Sequence, residues 1–111
     1  MKKTIFILLL LLVMPGISFA EDYRIEDVSM VREDDFIITR GMVRNLSIAP
    51  IKGYADVDYL NTNGDVVYNM SAGYANKDRE IPPGKARYFD HTLSSDRAPG
   101  AVSVKVRFIK N

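Results

Sequence analysis

The sequence predicts an all-β fold: a sandwich of about six or seven antiparallel strands in two packed sheets, following an N-terminal signal peptide. Three observations predict it. Short runs rich in Val, Ile and Tyr recur between turn signals at the spacing of a sandwich. No stretch of the mature chain returns its apolar residues every three or four positions, as a helix would. The segment Ile51 to Tyr74 reads as two alternating runs joined at Asn63-Gly64, a central hairpin on which the other strands are laid.

The leader comes first. Lys2 and Lys3 form a positive n-region, Ile5 to Met14 is an unbroken apolar run, and Pro15-Gly16 ends it. Ser18-Phe19-Ala20 sets small residues ahead of Glu21, so cleavage is expected between Ala20 and Glu21. The apolar run falls short of the roughly twenty residues that cross a bilayer, and no membrane span is expected after cleavage. With no cysteine in the chain, a lipid anchor on cysteine, disulfides, thiol catalysis and Cys-ligated metals are excluded. Residues 21–111 then make one small domain, secreted or periplasmic, held by packing and strand pairing alone. Removing Lys2 and Lys3 from the 15 Lys and Arg leaves 13 against 14 Asp and Glu. Such a balance gives no electrostatic footing for nucleic acid or an anionic membrane.

Tyr23 to Val31 is the first expected strand, with Asp27 breaking its phase as a bulge or a frayed start would. Arg32 to Asp35 is a charged turn. Phe36 to Asn45 follows, with Ile37, Thr39, Gly41 and Val43 on one face and Phe36, Ile38, Met42, Arg40 and Arg44 on the other. Gly41 signals a bulge or the close approach of another backbone. Ile51 to Leu60 alternates cleanly, with Ile51, Gly53, Ala55, Val57 and Tyr59 inward. In Val66 to Tyr74 the inward set is Val66, Tyr68, Met70, Ala72 and Tyr74. Pro82-Pro83-Gly84 carries the chain from one sheet to the other. Lys85 to Leu93 places Phe89 in the core. After a polar loop, Ala101 to Ile109 points Val102, Val104, Val106 and Phe108 inward.

Two turn chemistries compete at the hairpin. Asn61-Thr62-Asn63-Gly64 suits a type I turn with a bulge at Gly64, closing Asn61 against Asp65. Asn63-Gly64 also suits a two-residue type I′ turn closing Thr62 against Asp65. Only the second sets Tyr59 against Tyr68, Val57 against Met70, Ala55 against Ala72 and Gly53 against Tyr74. A one-residue slip would expose the whole buried set, so the two-residue turn is predicted. Tyr54 would then lie across from Gly73 on the outward face.

Gly41-Met42-Val43-Arg44-Asn45 resembles the G-x-V-x-N strand of FxLYD domains. Val57 to Asn61, followed by Asn63-Gly64-Asp65-Val66-Val67, stands where that family carries its naming motif and the turn after it. Val57 replaces the Phe, Tyr59 the Leu, Leu60 the Tyr and Asn61 the Asp. Pro83-Gly84 with Phe89 resembles the family's P-G-x-x-x-x-F segment, and Val102 to Val106 its closing V-x-V strand. The resemblance spans about residues 35–109. It implies an immunoglobulin-like β-sandwich from a bacterial exported protein. It implies no catalytic residues, because the family has no established catalytic role.

The candidate chemistry is sparse. Asp90-His91 with Ser94 and Ser95 supplies the residue types of a hydrolase triad, yet neighbours on a strand point to opposite faces. Asp56, Asp58, Asn61, Asn63 and Asp65 supply oxygen ligands near a glycine but miss the Ca²⁺-loop pattern. Asn45-Leu46-Ser47 and Asn69-Met70-Ser71 match the glycosylation sequon, expected to be chance matches in a bacterial chain. Tyr54, Asp56, Asp58, Leu60 and Val67 are the candidate interaction surface, an aromatic-aliphatic patch beside two carboxylates. The function expected is an exported, non-catalytic binding or accessory module of the bacterial cell envelope, with no cofactor and another envelope or secreted protein as partner. The competing reading is a small metal-dependent or hydrolytic domain using loop carboxylates.

Overall fold

The computed structural model describes residues 22–111; the expected leader and its cleavage point lie outside them. Strands β1 (Tyr23–Glu33), β2 (Phe36–Asn45) and β5 (Ala86–Ser94) form one antiparallel sheet in the order β1-β2-β5. Strands β3 (Gly53–Leu60), β4 (Val66–Ala72) and β6 (Ser103–Lys110) form the other in the order β4-β3-β6. Among the described residues, helix is confined to two 3-10 turns, Tyr74–Asn76 and Ser95–Arg97. These six strands make the expected two-sheet sandwich.

Alternation builds the core between the sheets. β2 contributes Ile37, Thr39 and Val43, β3 contributes Ala55, Val57 and Tyr59, β5 contributes Phe89 and Leu93, and β6 contributes Phe108. At its centre Thr39 Oγ1 and the Tyr59 hydroxyl lie 2.8 Å apart, a hydrogen bond from sheet to sheet between two residues at 0% exposure. Burial raises the Tyr59 phenol above its ordinary pKa.

Gly41 lies opposite Phe89 in an unbroken β2–β5 register. A Cβ there would stand 2.5 Å from Phe89 Cζ. An aromatic ring from the neighbouring strand therefore fills the space, in place of an approaching backbone, and the bulge expected lies in the other neighbour, β1. Near it, Asp27 and Val28 of β1 bulge opposite Gly41, with Asp27 at φ 55. β1 continues past the expected Val31 to pair Glu33 with Phe36.

The central hairpin corrects the expected turn and keeps the expected register. Tyr59 pairs with Tyr68, Val57 with Met70 and Ala55 with Ala72. The turn, however, closes Asn61 against Asp65: Asn61 N–H donates to Asp65 O and Gly64 N–H to Asn61 O, each at 3.0 Å. Asn61 Oδ1 also accepts from the N–H groups of Asn63 and Asp65, both at 3.0 Å. That side chain holds the four-residue turn together. Leu60 then pairs with Val66, and Val67 is the extra residue that restores phase. Val66 is consequently outward and 55% exposed, and Val67 packs against the core.

β4 ends at Ala72, because Gly73 turns left-handed at φ 74 and starts the 3-10 turn at Tyr74. Tyr74 is therefore outside the inward set, and Gly53 pairs with Lys110 instead. Gly53, at φ 155, has Ile109 O where a Cβ would be, 2.1 Å away. Ile51 stands apart from β3 and bridges to Ile81, both buried. Asn45 secures that end: at 0% exposure its Nδ2 donates to the carbonyls of Ala49 and Ile81, each at 2.8 Å. Its Oδ1 accepts from Ser47 N–H at 2.8 Å and Ser47 Oγ at 2.7 Å. The Pro82 carbonyl accepts from Lys85 N–H, with Gly84 at φ 77, as the chain crosses to β5. Val102 precedes β6 and is 55% exposed, in place of the inward position expected, because Ala101 takes the buried site.

Candidate functional site

The outward face of the β4-β3-β6 sheet holds four of the five residues singled out in the sequence. Tyr54, Asp56, Asp58 and Leu60 run along β3, the middle strand. Pairing sets Ile109, Arg107, Lys105 and Ser103 of β6 on one side of them. Ser71, Asn69 and Val66 of β4 flank Asp56, Asp58 and Leu60 on the other. The fifth residue, Val67, is withdrawn by its bulge, and Val66 stands opposite Leu60 in its place.

Asp56 and Asp58 are clamped between the flanking strands. Arg107 Nη2 lies 2.6 Å from Asp56 Oδ2, and Arg107 Nη1 lies 3.2 Å from Asp58 Oδ2. From the other side Asn69 Nδ2 donates to Asp58 Oδ1 at 2.7 Å and to Asp56 Oδ1 at 3.2 Å. All four carboxylate oxygens thus have a partner. The two Asp side chains are 14% and 12% exposed under an Arg107 that is 47% exposed. The clamp covers both carboxylates. A cation would have to displace the guanidinium to reach both carboxylates. Asn61, one of the three other oxygen ligands considered with Asn63 and Asp65, spends its Oδ1 on the turn. Among the described residues, no group of three or more His, Asp or Glu is placed to hold a metal ion.

An aromatic corner adjoins the clamp. The Tyr54 and Tyr74 rings meet edge to face, centroids 5.1 Å apart at 72°. Lys77 Nζ sits 5.6 Å from the Tyr74 centroid and pairs with Asp78 at 3.0 Å. That pairing raises the Lys77 pKa and lowers that of Asp78. Tyr74 is 52% exposed. Sequence reasoning missed it by continuing β4 through Gly73, although a glycine at a strand end is itself a signal for a turn.

His91 shares the inward side of β5 with Phe89 and Leu93, opposite Thr39, and is half-buried. Burial lowers its pKa, with Asp90 opposing. Asp90 is outward beside Arg40, and the Ser94 hydroxyl donates to Asp96 at 2.7 Å. The structure separates the triad types, as strand alternation requires. A second outward patch, not singled out in the sequence, lies on the β1-β2-β5 sheet: Val31, Phe36, Ile38 and Tyr88, with Phe36 51% and Tyr88 78% exposed. Its signal was the second apolar set on β2, Phe36, Ile38 and Met42.

Comparisons with protein-family models, curated proteins and solved structures returned no match. Among the described residues, no helix is long and apolar enough to cross a membrane.

Proposed function

We propose that this chain is an exported, non-catalytic binding module of a bacterial cell envelope, and that it engages another envelope or secreted protein through the outward face of the β4-β3-β6 sheet. The observation that carries the proposal is the Tyr54–Tyr74 pair, which sets a ring from the 3-10 turn after β4 against a ring on the outward side of β3, the strand whose two carboxylates Arg107 clamps. Rigid aromatic rings give large contact area at low entropy cost, and they are enriched among residues that dominate binding energy. The clamp adds polar groups already fixed in place, so little ordering remains for a partner to impose. The signal-peptide pattern supports export to the periplasm or beyond, after cleavage at Ala20. The immunoglobulin-like assignment and the FxLYD resemblance belong to the same proposal, supported by two three-stranded sheets and by the motifs around Gly41, Val57 to Asn61 and Pro83-Gly84.

The proposal predicts that a Tyr54→Ala, Tyr74→Ala double variant folds normally and loses at least about tenfold in affinity for a captured envelope partner. Thr92→Ala, exposed on the opposite sheet, serves as control. Equal retention by both variants would overturn the assignment of this face.

A further inference from the structure

A strand at the border of a sheet leaves one side of its backbone unpaired and open to a further strand. Here the border strands are β1, β5, β4 and β6. Three of them carry the charges that guard such edges. β1 has Arg24, Glu26, Asp27, Arg32 and Glu33 together with its bulge. β5 has Arg87 and Asp90, and β6 has Lys105, Arg107 and Lys110. β4, VVYNMSA, has no charge and no proline.

The core is also open along β4. Tyr68 and Met70 point inward but are only partly buried, whereas Tyr59 and Val57, paired with them on β3, are at 0% exposure. Past the bulge at Val67, the segment Tyr68 to Ala72 keeps inward and outward residues in strict alternation.

We propose that β4 pairs antiparallel with β4 of a second copy of this chain, joining two three-stranded sheets into one of six strands. A continuous sheet must set inward residues against inward ones. The five residues clear of the bulge have Met70 as their midpoint. Met70 then meets its own counterpart, Tyr68 meets Ala72, and Asn69 meets Ser71. Large faces small on the core side, amide faces hydroxyl outside, and no like charges meet. The same operation on the other regular edges brings like charges together. About its midpoint, β5 sets Asp90 against Asp90. About Val106, β6 sets Lys105 against Arg107. β4 is the edge that is complementary to itself, which is why a second copy is its occupant. This pairing uses a strand edge and is independent of the heterologous partner assigned to the outward face.

Sedimentation of the purified protein across a wide concentration range tests it. Dimer formation is expected, and Met70→Lys, which sets two ammonium groups against each other, should raise the dissociation constant at least about tenfold. Because the chain has no cysteine, Met70→Cys gives a single thiol that should form a disulfide-linked dimer on mild oxidation, far faster than Tyr88→Cys on the other sheet. That readout decides the matter even where Met70→Lys fails to fold. A protein that stays monomeric at every concentration, or equal cross-linking from positions 70 and 88, overturns the proposal.

Discussion

The Thr39–Tyr59 hydrogen bond is the residue-scale feature with the clearest energetic signature. Both groups are fully buried, so removing one strands the other without water. Thr39→Val and Tyr59→Phe should each destabilise by about 1–3 kcal/mol, while the double variant recovers much of the summed loss. Urea titration of the four proteins measures the coupling, and simple additivity would show that the bond contributes nothing. His91 supplies a pH dependence. Its folded pKa is pushed below the ordinary 6.5, so the unfolded chain binds the proton more readily, and stability rises with pH through that window. The contribution is fully present above 6.5 and is lost as pH falls through the folded pKa. His91→Gln should flatten this part of the stability profile in denaturant titrations run across the window. A slope unchanged by the substitution would assign it to other groups.

At the scale of elements, turn and register are separable in the central hairpin. Asn61 Oδ1 holds two backbone N–H groups, so Asn61→Ala should cost about 1–2 kcal/mol. The pairing of Tyr59 with Tyr68 should survive, because burial of that face sets it. Cross-strand NOEs in the variant would check both parts, and a slip to Tyr59 opposite Val67 would contradict the account. Alternation read the inward residues of β3 and three of their four expected partners, Tyr68, Met70 and Ala72, since a buried face constrains every second residue. The turn was not legible: Asn63-Gly64 satisfies both chemistries, and a bulge at Val67 uncouples turn length from register. The end of β4 was lost by reading Gly73 as a strand residue. Asp56 and Asp58 were legible as a shared outward face. Their clamp was not, because Arg107 reaches Asp58 from 49 positions away and the β3–β6 pairing leaves no local trace.

On the scale of the whole molecule, a thin core without disulfides carries two outward sheet faces of different character. The β1-β2-β5 face is part apolar, with Phe36 and Tyr88 exposed. The β4-β3-β6 face joins an aromatic corner to a fixed, charge-paired centre and is the face proposed to meet a partner. The two faces point away from each other, so a label placed on one samples partners the other does not touch. The direct measurement is photo-crosslinking in living cells, with a benzophenone amino acid at position 54 and, separately, at position 92. A heterologous adduct is expected from position 54 and not from position 92. Adducts of the same size from both positions, or from position 92 alone, would contradict it.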